Sequence, residues 1–110
     1  MQVKIKDIIE GIGPAAAKGA LCFVEFRGQL EDGTEFDSTT RHGRPFEFVL
    51  GSKKVIPGWS QGILGMRPGG EREIWVPAEL AYGDRQVGLI RPHSNLIYKV
   101  KMLEVRLRED

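Results

Sequence analysis

Gly58-Trp59-Ser60-Gln61-Gly62 matches G-x-S-x-G, the spacing that presents a serine hydroxyl as a nucleophile at a strand-to-helix elbow. The apolar pair Val55-Ile56 precedes it, and Asp84 and His93 follow in the order of an acyl-transfer triad. Covalent hydrolysis through Ser60 is therefore one chemistry these residue types could perform. The elbow needs a parallel sheet flanked by several helices to hold its serine, however, and a chain of 110 residues with one short helical segment has no room for that scaffold. An ordinary helical serine is the plainer reading. His42 and His93 are isolated, Cys22 lies in a strand-like run, and no pair has metal-ligand spacing, so neither metal nor cofactor is expected. Gly11-Ile12-Gly13-Pro14 opens like a dinucleotide fingerprint but lacks the third glycine and the helix that should follow.

The remaining chemistry is aromatic. Phe26, Phe36, Phe46, Phe48, Trp59, Tyr82 and Tyr98 fall at the ends of strand-like runs, beside long loops or at the start of the helical segment. They could simply fill a core. They could also wall an apolar cavity in which Asp37 and Tyr82 are the few polar groups, the usual form of a small-ligand or peptide site. Asp37 directly follows Phe36 and would point to the opposite face of a regular strand, so both reach one site only if the chain bends there.

The elements that must position these residues are mostly strands. Val3 and Ile5 alternate with lysines; Leu21, Phe23, Phe26 and Leu30 mark a longer run; Phe46, Phe48 and Leu50 form a third; Ile74 and Val76 a fourth. Each reads as a strand with one wet face. In the last run Leu96, Tyr98, Val100 and Met102 share a parity that flips to Leu103, Val105 and Leu107, which predicts a β-bulge or strong twist. Residues 57–66 form the helical segment, with Pro57 suited to its first position and Trp59 and Ile63 on one face. Gly58, Gly62 and Gly65 each cost about 1 kcal/mol relative to Ala, so packing must hold this helix. Asp32-Gly33 and Pro68-Gly69 mark tight turns, and two longer connections span 38–45 and 84–95. The expected fold class is α+β: an antiparallel sheet of five to six strands wrapped over one short helix.

Residues 1–110 are read as a single domain, large enough for one core. With 16 Lys and Arg against 15 Asp and Glu, the net charge of +1 gives no reason to expect nucleic acid or an anionic membrane as partner. A lone cysteine forms no internal disulfide, and the opening residues lack the apolar core of a signal peptide. A cytoplasmic monomer is expected, periplasmic or exported if the chain is an excised domain.

Phe36-Asp37-Ser38, the run from Pro45 to Gly51, Val55-Ile56-Pro57-Gly58-Trp59, Ala81-Tyr82-Gly83, Ile90-Arg91-Pro92 and Asn95 to Tyr98 resemble, in this order and spacing, the FKBP family of peptidyl-prolyl cis-trans isomerases, which bind macrolides. The resemblance implies a curved sheet wrapped over one helix. It implies Trp59 as the floor of a proline pocket, with Phe26, Phe46, Val55, Ile56 and Tyr98 as walls. Phe36, Asp37, Tyr82 and Ile90 would surround the rotating bond, beside Leu89. The Ile56 N–H and the Tyr82 hydroxyl would bind carbonyls of the peptide. Phe26 replaces the family's usual Tyr, and His42 stands where an Arg commonly pairs with the aspartate. Lys54 replaces a common Glu, and the stretch 84–88 is one residue shorter. Partners implied are proline-containing peptides, partly folded proteins and rapamycin-type macrolides.

Such a site would need no nucleophile. Rotation of an X-Pro amide crosses a barrier of about 18–20 kcal/mol because C–N conjugation is lost, without covalent chemistry or proton release. The expectation is a prolyl isomerase. The alternatives are a non-catalytic peptide- or macrolide-binding module and, remotely, a serine hydrolase using Ser60.

Overall fold

The computed structural model describes residues 2–108. Six strands, β1 (Lys4–Ile9), β2 (Leu21–Leu30), β3 (Glu35–Ser38), β4 (Phe46–Val49), β5 (Glu71–Val76) and β6 (Leu96–Arg106), form one sheet in which the pairings are antiparallel. Its order is β1-β5-β6-β2-β3, with β4 also on β2. Helix α2 (Pro57–Ile63) packs over the sheet, so the α+β architecture expected from periodicity is the one observed. The Gly-x-Ser-x-Gly sequence opens this helix in an antiparallel fold, without the parallel strands that a nucleophile elbow requires.

The longest strands, β2 and β6, sit side by side at the centre and carry much of the core: Cys22, Val24, Leu96, Val100, Met102 and Val105 are buried. The parity flip in β6 is a bulge. Phe23 pairs with Glu104 but Val24 with Met102, leaving Leu103 as the extra residue, and burial resumes at Val105.

On its other side β2 is shared. β4 pairs with Leu21–Val24 and β3 with residues 27–29, which leaves a gap at Glu25 and Phe26. A single helical turn, α1 (Thr39–His42), fills it: the Phe26 N–H donates to Thr39 Oγ1 at 3.1 Å. Ser38 caps α1 by accepting from the Arg41 N–H, and Gly43 ends it with φ 72. From sequence, 38–45 reads as a connection longer than a turn, because the four residues of α1 are too few to show a period.

Helix α2 is held by closeness and by one arginine. A Cβ at Gly58 would stand 2.3 Å from Val76 Cγ1, and one at Gly62 2.5 Å from Ile74 Cγ2. The glycines therefore let the helix backbone rest directly on β5, which is the packing that must offset their poor propensity. At the helix end, Arg72 of β5 donates from Nη1 to the carbonyls of Gly62 at 2.8 Å and Leu64 at 2.9 Å, and from Nε to Asp7 of β1 at 2.6 Å. One buried guanidinium thus ties the helix to two strands and satisfies carbonyls that a helix terminus leaves free.

Strand β1 departs from the expectation of one dry face. It lies at the edge, pairs only with β5 in the sheet order, bulges at Ile8, and is exposed along its whole length, with Ile8 56% accessible.

Candidate functional site

Between α2, the sheet and the loop 81–90 lies a cavity of about 780 Å³. The residues that the resemblance assigns to the pocket line it, Phe26, Phe36, Asp37, His42, Phe46, Val55, Ile56, Trp59, Tyr82, Leu89, Ile90 and Tyr98, whereas Phe48, grouped with them as a possible wall, does not.

Trp59 is its floor. The start of α2 places the indole, 4% exposed, among Phe26, Phe46, Phe48 and Tyr98 at centroid distances of 5.0, 5.7, 5.4 and 5.3 Å, each steeply inclined to it. Edge-to-face contact suits the ring quadrupoles, and being hemmed in on several sides fixes the ring's tilt. The indole Nε1–H is buried without a partner among the described residues. Tyr98 Oη lies near enough to this N–H to be acidified by it slightly, yet no bond of ordinary geometry joins them. Burial dominates at Tyr98 and, with Tyr82 and Asp37 nearby, pushes its phenol far up.

Phe36 and Asp37 do reach the same site, through a bulge. Gln29 pairs with Glu35 and Gly28 with Asp37, so Phe36 is the extra residue and the strand bends between them. Gly28 makes the room: a Cβ there would stand 2.5 Å from Phe36 Cζ. The Phe36 ring then meets Tyr98 at 5.7 Å, edge to face.

Asp37 Oδ1 accepts the Ser38 N–H at 2.8 Å and faces His42 Nε2 at 2.9 Å. The second oxygen has no hydrogen-bond partner among the described residues, and the side chain is 40% exposed. His42 therefore holds the carboxylate rather than pointing free into the cavity. It also offers a donor on the polar fringe, where Phe26 has no hydroxyl.

Loop 81–90 follows a 3₁₀ turn, Ala78–Leu80, that Asn95 anchors by accepting the Ala78 N–H at 3.0 Å. The Tyr82 phenol is pushed up, first by burial and then by Asp37, with Arg85 opposing, so the hydroxyl keeps its proton. Val87 and Ile90 exchange backbone hydrogen bonds of 2.9 and 2.8 Å, closing a tight turn that carries Val87 and Leu89 over the cavity. Val55 and Ile56 line the wall where the chain enters α2. Among the described residues the Ile56 backbone N–H has no hydrogen-bond partner.

The cavity is also lined by Arg44, Lys53, Lys54, Arg85 and Pro45, which the sequence reading does not assign. Their signal is only adjacency to the aromatic motifs. Among the described residues no group of three or more His, Cys, Asp or Glu side chains is placed to hold a metal ion. Nor do Ser60, Asp84 and His93 converge here, since none of them lines the cavity.

A long apolar hollow with a tryptophan floor, a carboxylate, a protonated phenol and a free backbone N–H can seat a small ring and hold the chain on either side. Among the described residues no serine or cysteine lines it. Comparison with known proteins agrees with this geometry. The profile of the FKBP-type peptidyl-prolyl cis-trans isomerase family matches residues 13–103. An FK506-binding protein of Neisseria meningitidis serogroup A is 43% identical over 102 residues, covering 92% of this chain and 94% of that one. FK506-binding protein 4 of Aspergillus fumigatus is 47% identical over 104 residues, but the chain spans only 21% of its length. Among solved structures, AtFKBP13 superposes with a TM-score of 0.87 at 38% identity, covering 93% of this chain and 91% of that one. FkpA from Escherichia coli gives 0.86 at 36% identity over 94% of this chain and 48% of its own. The aromatic hollow and the matches along nearly the whole chain lead to one conclusion: this protein belongs to the FKBP-type family and is a peptidyl-prolyl cis-trans isomerase.

Proposed function

We propose that the cavity over Trp59 is where this chain binds X-Pro segments of peptides and partly folded proteins and accelerates their rotation, with the following division of labour. The pyrrolidine ring sits on the indole, gripped by Phe26, Phe46 and Tyr98. The Ile56 N–H and the Tyr82 hydroxyl donate to carbonyls of the bound segment and fix one side of the bond while the other turns. Phe36 and Ile90 keep water from the rotating amide. The observation that carries this reading is the buried Trp59, held steeply inclined to its ring neighbours at the bottom of the cavity.

A planar amide carries a large resonance dipole, and twisting it discards that dipole. An apolar pocket therefore disfavours the twisted state less than the ground state, which is the differential binding that accelerates a reaction. Loss of conjugation also leaves the carbonyl carbon electron-poor, a change that the Asp37 carboxylate favours. Lowering the barrier by about 5 kcal/mol gives on the order of 10³–10⁴-fold.

The same pocket accommodates macrolides of the rapamycin type, a reading supported by the names of the relatives and by the cavity's apolar lining. A monomer in a reducing compartment is the companion proposal, supported by the single buried Cys22.

The experiment is a cis-trans assay with a proline tetrapeptide at micromolar protein, with and without a macrolide. Acceleration abolished by the macrolide is expected. Macrolide binding without acceleration would make the chain a binding module. Ser60→Ala should leave the rate unchanged; esterase activity that disappears in this variant would instead revive the hydrolase.

A further inference from the structure

The whole chain is close to neutral, 16 Lys and Arg against 15 Asp and Glu, but the cavity is not. Its lining includes Arg44, Lys53, Lys54 and Arg85, and its carboxylate is Asp37, already faced by His42. Lys54 is partly used: its Nζ donates to the Glu47 carbonyl at 2.8 Å and lies 5.1 Å from the Phe46 ring centre. That contact fixes a cation directly on the pocket wall. Arg44, Lys53 and Arg85 are exposed, and among the described residues their side chains enter no ion pair or hydrogen bond. Unpaired cations also occur elsewhere, at Lys4, Lys6, Lys18, Arg91, Lys99 and Lys101 among the described residues; what sets these four apart is that they surround one cavity whose lining holds a single carboxylate.

Free cations around an apolar pocket do nothing for the proline ring, which carries no charge. They act on whatever flanks it, because a peptide whose proline is seated on Trp59 must pass the rim on its way back to solvent. We infer that this rim makes the isomerase selective for acidic substrates, peptides with Glu or Asp next to the proline, with Arg44, Lys53, Lys54 and Arg85 as the specificity-determining residues. This rests on the assignment of the cavity as the prolyl site. An exposed ion pair contributes little alone, but several like charges around one concave site add their fields and also speed encounter. The expected preference for an acidic over a neutral isosteric residue is about three- to tenfold in kcat/KM at low salt.

The test compares Ala-Xaa-Pro-Phe and Ala-Ala-Pro-Xaa peptides, with Glu, Gln or Lys at Xaa, alongside a reference peptide with Leu before proline. Rates are read at about 0.02 M and 0.5 M salt, where screening lengths are about 20 Å and 4 Å. The order Glu over Gln over Lys in at least one series, narrowing at high salt, is the expected result. The Arg44→Glu/Lys53→Glu double variant should reverse that order, and Arg85→Glu, on a separate loop, should at least flatten it. Equal rates for Glu, Gln and Lys peptides, with the Leu peptide still accelerated, would overturn the acidic preference and leave the isomerase intact. A preference unchanged in both variants would overturn the role given to these side chains. If even the Leu peptide is not accelerated, both readings fall.

Discussion

Asp37 owes its place in the cavity to one extra residue: without the bulge at Phe36 the carboxylate and the phenyl ring would lie on opposite faces of β3. Its Oδ1 is tied by Ser38 and His42, whereas the Tyr82 hydroxyl is a single donor on a loop. Tyr82→Phe should therefore lower kcat/KM by about two- to tenfold, the worth of one neutral hydrogen bond, while Asp37→Val removes a charge and should cost on the order of ten- to a hundredfold. Steady-state rates on one tetrapeptide decide the order, and an equal or larger loss in Tyr82→Phe would reverse our weighting of apolar and polar contributions. Because burial raises the Tyr82 phenol above its ordinary 10.0, the hydroxyl stays a donor throughout the neutral and mildly alkaline range. The rate should show no decline from this group below about pH 10. At this scale the aromatic surplus beside loops is legible in the sequence, but whether each ring fills the core, as Phe48 does, or walls the cavity, as Phe46 does, follows from the resemblance and not from residue type. The rim cations are not legible, because charge on a surface is ordinary until the fold shows which charges converge on one cavity.

Helix α2 is short, glycine-rich and stable only where it rests. Gly62→Ala improves intrinsic helix propensity by about 1 kcal/mol, yet its Cβ would stand 2.5 Å from Ile74 Cγ2 in the core. Overpacking should win, for a net loss of about 1–2 kcal/mol and lower prolyl isomerase activity, because the helix that lifts away carries Trp59. Urea unfolding and the tetrapeptide assay would both show it; a more stable variant would mean that β5 yields easily. The beginning of α2 can be read from Pro57, and the bulge in β6 from the shift of apolar parity at Leu103. Neither the Arg72 clamp nor α1 can be read in this way. The clamp joins residues distant in the chain, and α1 exists to fill a gap in β2 that only the pairing of β3 and β4 creates.

For the molecule as a whole, two buried acids, Cys22 and Tyr98, and the half-buried Tyr82 make alkaline pH the weak side. Burial pushes the Cys22 thiol from 9.0 up to about 11 and raises the phenols of Tyr82 and Tyr98 above 10.0. Unfolded, these groups ionise at their ordinary values; folded, they hold their protons. The folded state then binds more protons than the unfolded one, so stability is complete below about pH 9 and falls as pH rises, by up to about 1.4 kcal/mol per pH unit for each group. Unfolding followed by tryptophan fluorescence should show a urea midpoint that is flat near neutrality and drops above pH 9. Cys22→Ala should be weaker overall but should lose the first part of that drop; an unchanged profile would remove the thiol from the account. The antiparallel sheet over one helix is legible, to within a strand, because alternating apolar residues leave little else to build. The wet face on both sides of β1 is not, since alternation reports what a strand could bury and not whether the sheet continues past it. That edge has a consequence for life at high concentration. A row of isoleucines beside unpaired backbone groups is a template on which a second chain could add and then a third, the seed of a growing ribbon. Lys4 and Lys6 set like charges against any parallel, in-register copy of β1, and the extra residue at Ile8 spoils the straight ladder such growth needs. The protein thus carries on its own most exposed strand the features that keep its copies from adding to one another.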